Sequence, residues 1–115
     1  MHQCAKEPEE LAKFFVERAN AGNVEGLVAL YEPNATLAID AGKVVVGAEA
    51  IRQFYAALLS ARPQFTLGEQ ATALRNGDIA LTSSRLGNGN ITAEIARHQP
   101  DGSWLWAVDQ PAIGK

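Results

Sequence analysis

The chain has 115 residues, 47% of them hydrophobic and 20% charged, with a formal net charge of −3. That is the length of one domain with enough apolar material for a core, without the basic excess of a nucleic-acid binder. No run reaches the roughly 18 apolar residues of a membrane helix, and the single Cys4 excludes an internal disulfide and a cysteine metal cluster.

Residues 1–6 carry no apolar signal segment, which points to a cytoplasmic setting, and they read as a loose terminus. Pro8 among Glu7, Glu9 and Glu10 marks a helix start, because proline suits the first turn and acids suit the positive end of the dipole. Leu11, Phe14, Phe15 and Arg18 then recur at helical spacing, and Gly22 closes the helix. Asn23 caps a second, shorter helix with Val24, Leu27, Val28 and Tyr31 on its apolar face, ended by Pro33. Residues 35–40 alternate as a strand, Ala41-Gly42 turns, and residues 43–46 return. After Gly47 a third helix carries Ile51, Phe54, Tyr55, Leu58 and Leu59 on one side, and Pro63 stops it.

From residue 65 onward the pattern is all strand. Residues 65–75 form the first long run, and Asn76-Gly77 is a strong hairpin turn. Residues 78–86, 91–99 and 104 onward follow, separated by Gly87-Asn88-Gly89-Asn90 and Pro100-Asp101-Gly102-Ser103. Successive hairpins make an antiparallel meander. The order α-α-β-β-α-β-β-β-β predicts a single α+β domain over residues 1–115.

Three stretches resemble the nuclear-transport-factor-2-like superfamily: residues 20–37 (Asn20 through Tyr31, Glu32 and Pro33 to Leu37), Gly47 to Tyr55, and the closing Asp101-Gly102-Ser103-Trp104 with Val108-Asp109-Gln110-Pro111. The resemblance is closest to the branch holding ketosteroid isomerase and the SnoaL-like polyketide cyclases. It implies a cone-shaped half-barrel, with three N-terminal helices packed on a strongly curved, mainly antiparallel sheet. It also implies an apolar pocket between helices and sheet, and dimers through the sheet's outer face. The isomerase's chemical residues do not carry over. Phe15 stands where that family has an oxyanion-donor tyrosine, and Ile39 stands at the base aspartate, with Asp40 one step later. Ala96 replaces the protonated aspartate, and only Tyr55 matches. Steroid isomerisation by that set is therefore excluded.

The last hairpin carries the acidic chemistry. With Asp101-Gly102 at the turn centre, Gln99 faces Trp104, His98 faces Leu105, Ala96 faces Ala107, and Glu94 faces Asp109. Glu94 and Asp109 then meet on an otherwise apolar face, where burial and like charge would raise one pKa and suit general acid–base work. The alternative is structural: Asp109 accepts backbone amides or pairs with Arg97, and Glu94 reaches solvent at the rim. His98 and Asp40 are weaker catalytic candidates, the latter most simply a turn residue. The pocket is expected to draw on Phe15, Tyr31, Ile39, Tyr55, Leu86, Ala96, Leu105 and Ala107. The opposite face, with Ile91, Ala93, Ile95, Trp104, Trp106 and Val108, is too apolar for a monomer and predicts a homodimer.

No histidine pair has metal-ligand spacing, no nucleophile motif is present, and Asn88-Gly89-Asn90 is unlike a phosphate loop, so neither metal nor cofactor is expected. Two function classes stand: a dimer that binds a small apolar or aromatic molecule, and an isomerase, cyclase or hydratase working through Asp109 and Glu94. A third is an association domain with a vestigial pocket.

Overall fold

The computed structural model describes residues 3–40 and 42–115. Helix α1 spans Glu10–Asn20 and buries Leu11, Phe14 and Arg18 on one face. Arg18 belongs inside because its charge is spent on carbonyls: Nη1 donates to Gly26 O at 2.8 Å and Nη2 donates to Gln3 O. The first bond fastens α1 to α2, which spans Val24–Val28 and is capped by Asn23 accepting from Gly26 N, and the second ties α1 to the N-terminal segment. Residues 1–6 were expected to be loose. Ala5 instead bridges Trp104 and is buried, while Met1 and His2 lie outside the described residues.

Tyr31 does not close α2, as its spacing suggested. It opens β1 (Tyr31–Asp40), which pairs antiparallel with β2 (Lys43–Val46). The expected turn between them is described only at Gly42, Ala41 lying outside the described residues. Helix α3 (Ala48–Leu59) buries Ile51, Tyr55 and Leu59 against the sheet. The long strand expected over residues 65–75 is broken. Residues 62–68 are irregular, and the run yields only β3 (Glu69–Gln70) and β4 (Leu74–Asn76). Its pairing partners are equally short: β5 (Ile79–Thr82) takes β4 and β6 (Ser84–Arg85) takes β3.

The remaining strands, β7 (Ile91–His98) and β8 (Trp104–Gly114), complete one sheet in the order β2-β1-β8-β7-β5-β4, with β6 pairing β3 and β7. The β1–β8 pair is parallel and the rest are antiparallel. Three helices thus pack on a mixed, mostly antiparallel, curved sheet that is not closed. Leu11, Leu27, Leu30, Leu37 and Ile51 are fully buried between the layers. Each contributes roughly 1.5–3 kcal/mol by leaving water. No helix among the described residues is long and apolar enough to cross a membrane.

The β7–β8 hairpin departs from its expected register in a way that decides the site. His98 pairs with Trp104, Arg97 with Leu105 and Ala96 with Trp106, one step off the expectation. The turn is one residue longer than expected: Gln99 N donates to Ser103 O, with Gly102 in the left-handed conformation at φ 89°. Ala107 is then an extra residue, a β-bulge, and the pairs resume as Ile95 with Val108 and Glu94 with Asp109. The two shifts cancel at Glu94 and Asp109. Between them, they turn Trp104 and Trp106 inward.

Candidate functional site

A cavity of about 860 Å³ lies between the helices, the inner sheet face and the irregular segment after α3. Asn20, at the end of α1, clamps that segment: its Nδ2 donates to Phe65 O at 2.9 Å and its Oδ1 accepts from Phe65 N at 2.8 Å. The clamp brings Phe65 against Phe15, ring centroids 5.5 Å apart. Phe15 also meets Tyr55 edge-on at 5.9 Å and Trp106 at 6.2 Å. The cavity wall is therefore largely aromatic and aliphatic.

Its acidic corner is built by three elements. Asp109 comes from β8 after the bulge, Tyr31 from the start of β1, and Tyr55 from the middle of α3. Tyr31 donates to Asp109 Oδ2 at 2.6 Å, and the Tyr31 and Tyr55 hydroxyls are 2.7 Å apart. A hydroxyl has one proton to give. Since Tyr31 spends its proton on Asp109, Tyr55 donates to Tyr31, and the chain runs Tyr55 to Tyr31 to Asp109. Burial pushes the Asp109 carboxyl up from 3.8 to about 7; the Tyr31 hydrogen bond opposes that rise and the Glu94 charge adds to it. Burial, then the Asp109 charge, raises both tyrosine hydroxyls, so they stay protonated donors. Glu94, also buried, accepts from Thr82 Oγ1 at 2.7 Å. Burial raises its pKa, against hydrogen bonds from Thr92 and Thr82.

A carboxyl that titrates near neutrality in an apolar cavity can both donate and accept a proton there. Trp106 brings a second kind of group. It lines the cavity, yet its buried Nε1 has no hydrogen-bond partner among the described residues. A buried donor left in that state costs about 1–3 kcal/mol. No group of three or more potential metal ligands occurs among the described residues.

Of the residues named from the sequence, Phe15, Ile39, Tyr55, Leu86, Glu94 and Asp109 line the cavity, with exposed Asp40 at its rim. Tyr31 sits behind the wall and reaches it through Asp109 and Tyr55. Ala96 is fully buried opposite Trp106 and does not line the space. Leu105 and Ala107 were expected in the pocket and are not: the longer turn and the bulge give their places to Trp106. His98 lies away from the cavity, exposed, stacked on Trp104 at 4.8 Å. Arg97 pairs with Glu32 at 3.0 Å, so Asp109 takes its hydrogen bond from Tyr31 rather than from Arg97. The sequence reading missed Phe54, Phe65 and Trp106 as wall residues. Phe54 shared the apolar stripe of α3 and was legible there; Phe65 and Trp106 carried no local signal.

The SnoaL-like domain model matches residues 12–110, and the chain belongs to that family. Solved structures agree on the fold. A protein of unknown function with a cystatin-like fold from Nostoc punctiforme is 21% identical, with TM-score 0.72 over 96% of this chain and 92% of that one. A candidate dehydratase of the nuclear-transport-factor-2-like family from Streptomyces avermitilis is 16% identical, with TM-score 0.70 over 92% and 94%. A ketosteroid-isomerase-like protein from Erwinia carotovora is 17% identical, with TM-score 0.70 over 93% and 94%. No curated protein matches the sequence. At these identities the likeness is one of fold, and the scaffold hosts many chemistries.

Proposed function

We propose that this domain binds a small, largely apolar molecule in the cavity between helices and sheet. The observation that carries the reading is the cavity itself: about 860 Å³, walled mainly by apolar side chains, with polar ones such as Gln64, Ser84, Thr92, Glu94, Asp109 and Gln110 among them. The test is binding of the neutral dye N-phenyl-1-naphthylamine, whose fluorescence rises in apolar surroundings. Ala12 lines the cavity from α1, so Ala12→Trp fills it. The variant should keep its circular dichroism and lose at least about tenfold in dye affinity, the scale of a lost buried side-chain contact. Unchanged affinity in a folded variant would count against the cavity as the binding site.

A second reading, proton transfer on the bound molecule, is favoured by one specific observation. Asp109 lines the cavity with its carboxyl raised to about 7 and a fixed donor from Tyr31. Exchange of the acidic CH protons of 2-tetralone for deuterium, followed by NMR, reads such a base directly. Wild type should accelerate it and Asp109→Asn should not. Equal exchange rates for the two proteins would leave binding without turnover as the function.

The reading includes a second copy of the chain as partner, on the outer sheet face first expected, with Ile95 and Val108 on it but without the two tryptophans. Trp104 and Trp106 are buried. Leu74, Leu81, Ile95, Val108, Thr36 and Val46 form one cross-strand row over the outer side of the sheet, linked by direct register from β4 to β2. Its five apolar members are between 38% and 66% exposed.

A further inference from the structure

Two buried carboxyls stand side by side in the cavity wall. Glu94 of β7 and Asp109 of β8 are direct cross-strand partners, 8% and 6% exposed, and both line the cavity. Each has one oxygen committed: Thr82 Oγ1 donates to Glu94 Oε1 at 2.7 Å, and Tyr31 donates to Asp109 Oδ2 at 2.6 Å. Asp109 Oδ1 accepts no hydrogen bond among the described residues. It is not sealed in the interior either, because Trp106 Nε1 is the one fully buried side-chain nitrogen or oxygen among them without a partner. Asp109 thus keeps an unbonded, accessible oxygen in a side chain whose opening is onto the cavity.

Charge narrows what can meet that oxygen. Asp40 stands at the rim with the same sign, and among the described residues no Lys, Arg or His lines the cavity. An anion would meet carboxyl groups and no countercharge, at a high desolvation cost. A cation offsets the repulsion between Glu94 and Asp109 and pairs with a carboxylate already oriented by Tyr31. No three potential metal ligands gather among the described residues. Phe15, Phe54, Tyr55, Phe65 and Trp106 share the lining, and aromatic rings attract organic ammonium groups.

We propose that the cavity takes an apolar amine in its ammonium form. Its N–H groups donate to Asp109 Oδ1 and Glu94, and its frame lies among the aromatic rings. The inference rests on the small-molecule reading of the cavity, and the experiment separates the two. It also fixes a pH dependence. Asp109 is faced by Glu94 from β7, Tyr31 from β1 and Tyr55 from α3, while Ala12, Phe15 and Val16, which line the cavity from α1, carry no charge. Burial holds the Asp109 carboxyl at about 7 without a ligand. An ammonium favours the carboxylate, so it must displace the proton below that pH and binds better above it.

Three naphthalenes of similar shape serve as probes: 2-naphthylmethylamine, naphthalene-2-methanol and 2-naphthoate. Titrated into wild type at pH 8, the amine should bind at least about tenfold more tightly than the alcohol, the scale of a hydrogen bond to a charged group, and the carboxylate most weakly. Between pH 5 and pH 8 the amine's affinity for wild type, which needs no variant to fold, should rise about tenfold or more while the alcohol's does not. With Asp109→Asn and Glu94→Gln together, the amine's advantage should fall to about one while the alcohol still binds. The proposal is overturned if the alcohol or the carboxylate binds wild type as tightly as the amine, if the amine's affinity does not rise with pH, or if its advantage survives in the folded double variant. In each of those cases a bound alcohol still upholds the small-molecule reading. If none of the three binds wild type, that reading falls, and the amine site with it.

Discussion

Asp109 shows how a single buried carboxyl links pH to stability. Its folded pKa, about 7, lies above the ordinary 3.8 because burial outweighs the Tyr31 hydrogen bond. The native state therefore holds a proton that the unfolded chain gives up. The stabilisation is whole below about pH 3.8, declines as pH rises, and is gone once pH passes about 7. For a group this buried the loss is on the order of 4 kcal/mol across that window. Asparagine has the shape of the protonated side chain and can accept from Tyr31. Urea unfolding should find Asp109→Asn close to wild type at pH 4 and more stable than wild type at pH 8. A variant less stable at pH 8 would mean that the ionised carboxylate is the form the fold requires.

Short elements depend on close approach more than on propensity, and α2 is the clearest case. Gly26 lies inside a five-residue helix, where alanine would ordinarily gain about 1 kcal/mol. A Cβ there would sit 2.8 Å from Asn23 Cγ and 2.9 Å from Arg18 Cδ. Asn23 caps the helix through Gly26 N, and Arg18 is buried with its guanidinium on Gly26 O. Gly26→Ala should therefore destabilise by about 1–2 kcal/mol, the scale of a lost cap. A lowered melting temperature is the expected result, against a rise if propensity governed. The β8 bulge follows the same logic at the site: one extra residue, Ala107, keeps Trp106 and Asp109 on one face.

Among the described residues, one apolar surface lines the cavity and another lies open on the outer side of the sheet. Ile95 lies at the centre of the open row, paired with Leu81 on one side and Val108 on the other. A row of that length in water favours association, and an isologous dimer covers it with a single self-complementary contact. Light scattering at micromolar concentration should report twice the 12.3 kDa chain mass. Ile95→Asp, on an exposed position outside the cavity lining, should report one chain mass with the fold intact. A wild-type monomer would dismiss the dimer and leave the cavity proposal untouched.

Local chemistry in the sequence was enough for the three helices, the order of the main strands, the glycine turns and the α+β class. Helical spacing and turn residues act over a few positions and need no partner. The apolar stripe of α3 put Tyr55 on the buried face of that helix, the family resemblance put it at the cavity, and the closing hairpin placed Glu94 opposite Asp109. Tertiary structure decided the rest. Tyr31 left its helical pattern because, from a strand, it packs on Trp106 and donates to Asp109. The run after α3 stayed irregular where Asn20 holds Phe65 over the cavity. Trp104 and Trp106 faced inward because the longer turn shifted the register by one residue, which reverses the faces as far as the Ala107 bulge that restores it. Alternation along a strand records that two faces differ. Which of them is covered depends on what packs there, here the aromatic wall at Trp106.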